Sequence, residues 1–510
     1  MKKLPLLLLV FLFIKCAPKE PLALQELTIT QLHEALRKGD CNCEEVISRY
    51  LERVTTYDDS TGLNAMVVLN PSGMAVAEDL DIEYKQTGKL RKLHCVPMIV
   101  KDNYDTDHLQ TAGGSAALKG SRPPNDAYQI KKLQEAGAII IGKSNMAEWA
   151  FSPMVTISSI DGETRNPYNL EHTTAGSSGG TAAAIAASFG VIGLGTDTGN
   201  SIRGPSSHNA LVGLRSTMGL TSRDGIIPLY LRNDVGGPMC RTVEDAVRVL
   251  EVIAGYDPAD PLTKYSEGKV PENYTQFLQK DGLKGARIGI LKRLTEIGEP
   301  SAEILGLFDQ AVADMKAQGA EVIEIEVEHF DSLRQNQWCP MFKVDLENYL
   351  ASLGDDAPVK TLDEIVESGK YSDYIENNLK YFQGIEGDPS ADGVACQDAF
   401  TDAKRIAFRK AIEKAMNENK VDALIYPTWN NPPAKIGDFS GYKGDNSQIV
   451  SPHTGQPAFT VPMGYSEGNL PAGIQFLGRM FDEPTLIKLI YSYEQATLHR
   501  WPPAGFGELK

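Results

Sequence analysis

The sequence predicts an α/β fold, a sheet with helices on both faces, and three observations carry that reading. Short apolar runs of strand character recur along the chain. Helical stretches stand between them. No Pro/Ser-rich or charge-rich linker divides the middle of the 510 residues. Length alone would suggest about three domains, but the unbroken pattern argues for one domain over 24–510. Thr30–Lys38 and Cys43–Tyr57 read as amphipathic helices. In the second, Val46, Ile47, Tyr50, Leu51 and Val54 recur on one face. Strands are expected at Val96–Val100, Ala138–Ile141, Val191–Leu194, Arg287–Leu291, Val322–Val327, Ala423–Tyr426, Phe459–Val461 and Gly473–Leu477. Further helices are expected at Ala302–Gln318 and Ala399–Asn417, and the segment 329–420 reads as a mostly helical cap.

Hydrophobic residues make up 42% and charged residues 23%, a globular composition with ample length for a large core. The formal net charge of −17 argues against a nucleic-acid surface.

The first residues read as an export signal over 1–16. Lys2 and Lys3 precede Leu4–Ile14, an apolar run too short to span a bilayer, which takes about 20 residues. Cys16 follows, then a Pro-containing tether over 17–23. A Cys so placed resembles a bacterial lipoprotein site, where the thiol is lipidated and the protein is held at the cell envelope outside the cytoplasm. A small residue is usual before that Cys, and here Lys15 stands there, so plain secretion and an uncleaved anchor remain as alternatives. The membrane is expected as a partner only through this anchor. Cys41, Cys43, Cys95, Cys240, Cys339 and Cys396 form no CxxC pair, which disfavours a structural zinc site, and their spacing fixes no disulfide.

Chemistry concentrates in three places. Lys101 ends the apolar run Val96–Val100. Ser177 lies in Gly176-Ser177-Ser178-Gly179-Gly180, just before an Ala-rich stretch. Ser201 follows 24 residues later, in Asp197-Thr198-Gly199-Asn200-Ser201-Ile202-Arg203. A hydroxyl needs an adjacent base to act as a nucleophile, and a Lys can serve when burial keeps it neutral. The order, surroundings and spacing of these residues resemble the amidase signature family over nearly the whole chain after residue 23. The resemblance implies one large mixed sheet in an α/β/α sandwich. It implies hydrolysis of a carboxylic amide through a seryl acyl-enzyme, with Ser201 as nucleophile, Ser177, its peptide bond cis, as proton relay, and Lys101 as base. It places the oxyanion hole in the turn Thr198, Gly199, Asn200 and Ser201. The usual pattern there is Gly-Gly-Ser; Asn200 departs from it, and Asn tolerates left-handed backbone. Ser178, Asp197 and Arg203 are expected in support, the last two as an ion pair bracing the turn. No cofactor or metal is called for.

Two other motifs are decoys. Gly137–Ser144 matches the phosphate-binding pattern GxxxxGKS, but its middle, Ala138–Ile141, reads as a buried strand rather than a loop, with a helix over Gln129–Ala136 before it. Gly176–Gly180 fits GxSxG around Ser178, but a nucleophile elbow follows a strand, and Asn166–His172 does not read as one. Nor do His208, His329, His453 or His499 stand in a distinctive setting.

The expected partner is a small-molecule amide, and the sequence leaves its identity and the oligomeric state open. Met146–Phe151 resembles a stretch at the pocket entrance of amidase signature relatives, with Ala147 where glutamine-using subunits usually carry an acidic residue. Trp149, Phe151, Trp338, Tyr426 and Trp429 would favour an apolar or aromatic acyl group if they line the pocket, and Cys339 in Trp338-Cys339-Pro340 is a further pocket candidate. The alternatives are a catalytically silent envelope binding protein of the same fold and the glutamine amidase component of an amidotransferase.

Overall fold

The computed structural model describes residues 22–386, 389 and 395–509. The signal, Cys16 and most of the tether lie outside these residues. Eleven strands form one mixed sheet. In chain order they are β1 Met66–Leu69, β2 Val96–Lys101, β3 Ala138–Ser144, β4 Ile192–Asp197, β5 Val212–Arg215, β6 Val235–Cys240, β7 Arg287–Leu291, β8 Glu321–Ile325, β9 Ala423–Pro427, β10 Ala458–Ser466 and β11 Leu470–Leu477. Their order across the sheet is β1-β3-β2-β4-β6-β5-β10-β11-β9-β7-β8. The two flanks contain the parallel pairs, β3/β2/β4 and β9/β7/β8, and antiparallel strands join them through the centre. All eight expected strands are present, and the mixed sheet agrees with the expected α/β fold.

The helices start and stop where local chemistry dictates. Ile29–Lys38 (α1) and Cys43–Thr61 (α2) each open on a capping box, Thr28 with Gln31 and Asn42 with Glu45, and each closes on a left-handed Gly, Gly39 and Gly62. On α2, Val46, Ile47, Tyr50 and Val54 are buried as the periodicity requires. Gly179–Ala186 (α3) is buried on every side and packs against β2 and β4, which suits a helix apolar all round. Ala302–Ala317 (α4) packs on β10 and β9.

The segment 329–420 divides its loyalties. Phe342–Ser352 (α5), Leu362–Ser368 (α6) and Glu376–Gln383 (α7) form a separate apolar cluster with Trp149 and Ile227. Ala403–Glu418 (α8) belongs instead to the sandwich, where Phe408, Ile412 and Met416 pack with Leu424, Tyr426 and Leu477.

Two readings are corrected. Asn166–His172 is strand-like after all: Arg165–Asn166 pairs with Asn169–Thr173 in a small antiparallel hairpin outside the main sheet. Strands β1, β5 and β6 escaped the sequence because β1 and β5 are four residues long and β6, VGGPMC, carries two glycines and a proline. The GKS decoy is a strand, all seven residues of β3 being buried, and Lys143 donates to the Tyr104 carbonyl and to Thr106 and Thr111.

Candidate active site

Strands β2 and β4 are parallel neighbours, so their carboxyl ends open on the same edge of the sheet. Ligand sites of α/β sheets form at such ends. Lys101 is the last residue of β2; Asp197 is the last of β4, and the turn 198–201 follows it. Between them the chain enters α3 through Ser177 and Ser178, over a cis peptide between Gly176 and Ser177. This Gly-rich run is no flexible linker. A Cβ at Gly176 would stand 2.4 Å from the Val155 carbonyl oxygen, and one at Gly180 would stand 2.2 Å from that of Asn145. Only glycine permits so close an approach of two backbones.

The Lys101 side chain is wholly buried, and its Nζ is hydrogen-bonded to Ser177 Oγ at 2.8 Å and to Thr196 Oγ1 at 2.7 Å. Asn103 Nδ2 donates to the same Thr196 hydroxyl at 3.1 Å. Burial pushes the Lys101 ammonium down to about 7, against the opposing pull of Asp197 and Asp234. Ser178 is occupied elsewhere: its Oγ donates to the Thr196 carbonyl at 3.2 Å and accepts from the Thr196 N–H at 3.3 Å. That double clamp holds the entry of α3 to β4, and it supports the site without leaving a free nucleophile.

The turn after β4 is braced from below. Asp197, fully buried, accepts from Arg203 Nε at 3.1 Å and Nη2 at 3.2 Å, from Arg215 Nη1 at 2.9 Å, and from the N–H groups of Ile202 and Arg203. Burial works to raise its pKa, but the two guanidiniums prevail and hold the carboxyl at about 2. Arg203 also reaches the Gly199 carbonyl and, at 2.6 Å, Gln475 on β11. The expected ion pair is therefore a three-residue cluster, with Arg215 on β5 as the member not foreseen. Thr198 Oγ1 donates to Asp234 Oδ1 at 2.6 Å. Among the described residues the N–H groups of Gly199, Asn200 and Ser201 find no acceptor, which leaves backbone donors free at this turn. The left-handed tolerance of Asn is not what lets Asn200 sit here, because neither Gly199 nor Asn200 has a positive φ. Its side chain is fully buried against Gly204, and neither polar atom has a partner among the described residues.

Ser201, Thr198 and Gly199 line a cleft of about 300 Å³. Its other walls are mainly apolar: Phe151, Leu229, Tyr230, Trp338, Phe342 and Phe382. No charged side chain lines it among the described residues. Phe151 and Trp338 thus face the cleft as the aromatic reading expected. Trp149, Tyr426 and Trp429 do not. Trp149 is buried in the cluster beneath α5, Tyr426 bonds Gln475 inside the sandwich, and Trp429 stacks on His208 at 4.5 Å. Cys339 lines the cleft and is joined in a disulfide to Cys396, a pairing that spacing could not choose.

The comparisons fit this geometry. A family profile described as Amidase matches residues 45–487. The chain belongs to the amidase family. Among its relatives, a probable amidase of Arabidopsis thaliana is 35% identical over 503 residues, covering 94% of this chain and 92% of the relative. A glutamyl-tRNA(Gln) amidotransferase subunit of Geobacter metallireducens is 32% identical over 501 residues, covering 94% and 99%. The structure of native peptide amidase from Stenotrophomonas maltophilia superposes with a TM-score of 0.84 at 34% identity, covering 94% of this chain and 98% of that one. This amidase-family chain shares with peptide amidase the fold built on one large mixed sheet.

Three contributors to the amidase-family site were not read from the sequence. Thr196 and Asn103 hold Lys101 from the side away from Ser177, and Arg215 completes the Asp197 cluster. Thr196 lies five residues before Ser201 and Asn103 two after Lys101, so proximity to the motifs was the only available signal.

Proposed function

We propose that this amidase-family protein hydrolyses a neutral amide through a seryl acyl-enzyme formed on Ser201. Ser177 relays the proton and Lys101 serves as base. The observation that carries the reading is the 2.8 Å hydrogen bond from a fully buried Lys101 to Ser177 Oγ, beside a cleft that Ser201 lines. A neutral lysine accepts the Ser177 proton, Ser177 takes that of Ser201, and the Ser201 oxygen attacks the amide carbon. The free N–H groups of the turn meet the negative charge that develops on the carbonyl oxygen. The same lysine, now charged, returns the proton to the leaving amine or ammonia. Water then releases the acid from the ester by the same relay.

The cleft favours a substrate with an apolar or aromatic group next to the scissile amide. Free glutamine carries two charges, and the uncharged lining offers neither a partner. With the net charge of −17, this weighs against the amidotransferase reading, despite the similarity to such subunits. The test is a fluorophosphonate probe followed by an amide panel. Labelling of Ser201, lost in Ser201→Ala, with turnover of an aromatic primary amide, is the expected result. A protein that takes no label and turns over no amide is a silent relative.

The pH dependence follows from the state of the base. Lys101 must be neutral to accept a proton, and it is charged below about 7. Activity should therefore climb as pH rises through about 7 and level off above it. A kcat/KM profile flat from pH 5 upward would remove Lys101 from the role of base.

We further propose that the protein is exported and anchored through Cys16. One acyl chain binds a membrane weakly, whereas a multiply acylated Cys holds stably. Cys16→Ser should release active enzyme into the soluble fraction. A Cys16→Ser protein that stays membrane-bound with its first residues intact would identify Leu4–Ile14 as an uncleaved anchor instead.

A further inference from the structure

The aromatic wall of the cleft has a second side. Trp338 and Gln448 line the cleft, and they also line a neighbouring hollow of about 490 Å³. The chemistry of this hollow is different. Asn336, Gln337 and His453 make it polar where the cleft is greasy. Two of its side chains carry a buried polar atom with no partner among the described residues: Gln337 Oε1 and His453 Nδ1. The residues are only 1% and 3% exposed. Buried polar atoms are nearly always paired, so two orphans lining one hollow point to a missing hydrogen-bonding group.

The surroundings say what kind of group. Gln337 Nε2 is already committed to the Leu333 carbonyl at 2.7 Å, which leaves Oε1 as an acceptor in want of a donor. His453 is held edge-on to Trp338 at 5.0 Å between ring centres, and burial, with Arg405 and Arg215 nearby, keeps its ring neutral. Arg334 on the wall is paired with Asp331 at 3.1 Å. The hollow thus offers hydrogen bonds without a free charge. Gln448 connects it to the chemistry: its Oε1 lies 2.5 Å from where a Cβ on Gly199 would stand, while its Nε2 donates to Asn446 at 3.0 Å.

We propose that this hollow is a second substrate subsite, taking one further neutral amide unit of a substrate whose chain passes Trp338 and Gln448 from the scissile bond at Ser201. The proposal rests on the amide-hydrolase reading above. An amide supplies the N–H that Gln337 Oε1 lacks, and a carbonyl for the His453 ring in its Nδ1–H tautomer. A hydrocarbon chain would leave both unpaired, and a carboxylate would bring a charge with no free counter-charge.

The experiment measures binding apart from turnover. In Ser201→Ala protein, calorimetry compares acetyl-phenylalaninamide with acetyl-alanyl-phenylalaninamide, which differ by one amide unit. The longer ligand should bind about tenfold more tightly, the worth of about one good buried hydrogen bond. Gln337→Leu should erase that preference. So should Gln335→Trp, which fills the hollow from its exposed rim and disturbs no buried packing. Equal affinity for the two amides, or a preference that survives both substitutions, overturns the subsite. Wild-type protein that turns over neither amide while the binding preference holds would remove the hydrolase reading and leave the subsite in place.

Discussion

Ser201→Ala is expected to abolish hydrolysis, a loss of at least about 10⁴-fold in kcat with folding intact. No other hydroxyl is placed to replace it: Ser178, the neighbour most like a nucleophile in sequence, is tied through both its donor and its acceptor to Thr196. Lys101→Ala and Ser177→Ala should cost nearly as much, because groups that act as one relay are strongly non-additive. Ser178→Ala is the informative contrast. It removes a clamp on β4 worth about 1 kcal/mol and should keep substantial activity. Burst kinetics and mass spectrometry of the labelled protein check the series. Near-normal turnover by folded Ser201→Ala would end the assignment of the nucleophile.

Asp197→Ala is expected to have the largest effect on stability. The carboxylate is the shared negative partner of Arg203 Nε and Arg215 Nη1 in a region with no solvent contact. Its removal leaves two buried guanidiniums without that charge, and breaking a buried pair in this way costs about 3–5 kcal/mol. The same change frees the N–H groups of Ile202 and Arg203, so the turn carrying Ser201 loses its brace and activity should fall with stability. Asp197→Asn keeps the shape but not the charge and should fall between. Urea denaturation reads the result, and an unchanged midpoint in Asp197→Ala would show that the cluster is not the brace described here.

Much of the site was legible because its residues lie in three short stretches. Lys101, Ser177 and Ser201 were named from local pattern and order, and the fold brings the first two into a 2.8 Å hydrogen bond across 76 positions of sequence. Arg215 and Thr196 were not named, because nothing in their own neighbourhoods marks them. Their roles exist only once β4 and β5 lie in one sheet. The aromatic residues divide in the same way. Composition could say that Trp149, Phe151, Trp338, Tyr426 and Trp429 are large and apolar, but core and cleft reward that property equally.

By itself the sequence determined the alternation of strands and helices, the caps that bound α1 and α2, and the identity of the residues able to do amide chemistry. These are properties of short stretches: side-chain periodicity, capping hydrogen bonds and the steric freedom of glycine act within a few residues. Tertiary structure decided the rest. Strand β6 forms against the preferences of Gly236, Gly237 and Pro238, because it is paired on both sides, with β4 and β5. The disulfide joins Cys339 to Cys396 among six described cysteines, because the chain brings those two together at the cleft wall. Burial, which no single stretch controls, turns Lys101 from a permanent cation into a group that can hold its lone pair near neutral pH.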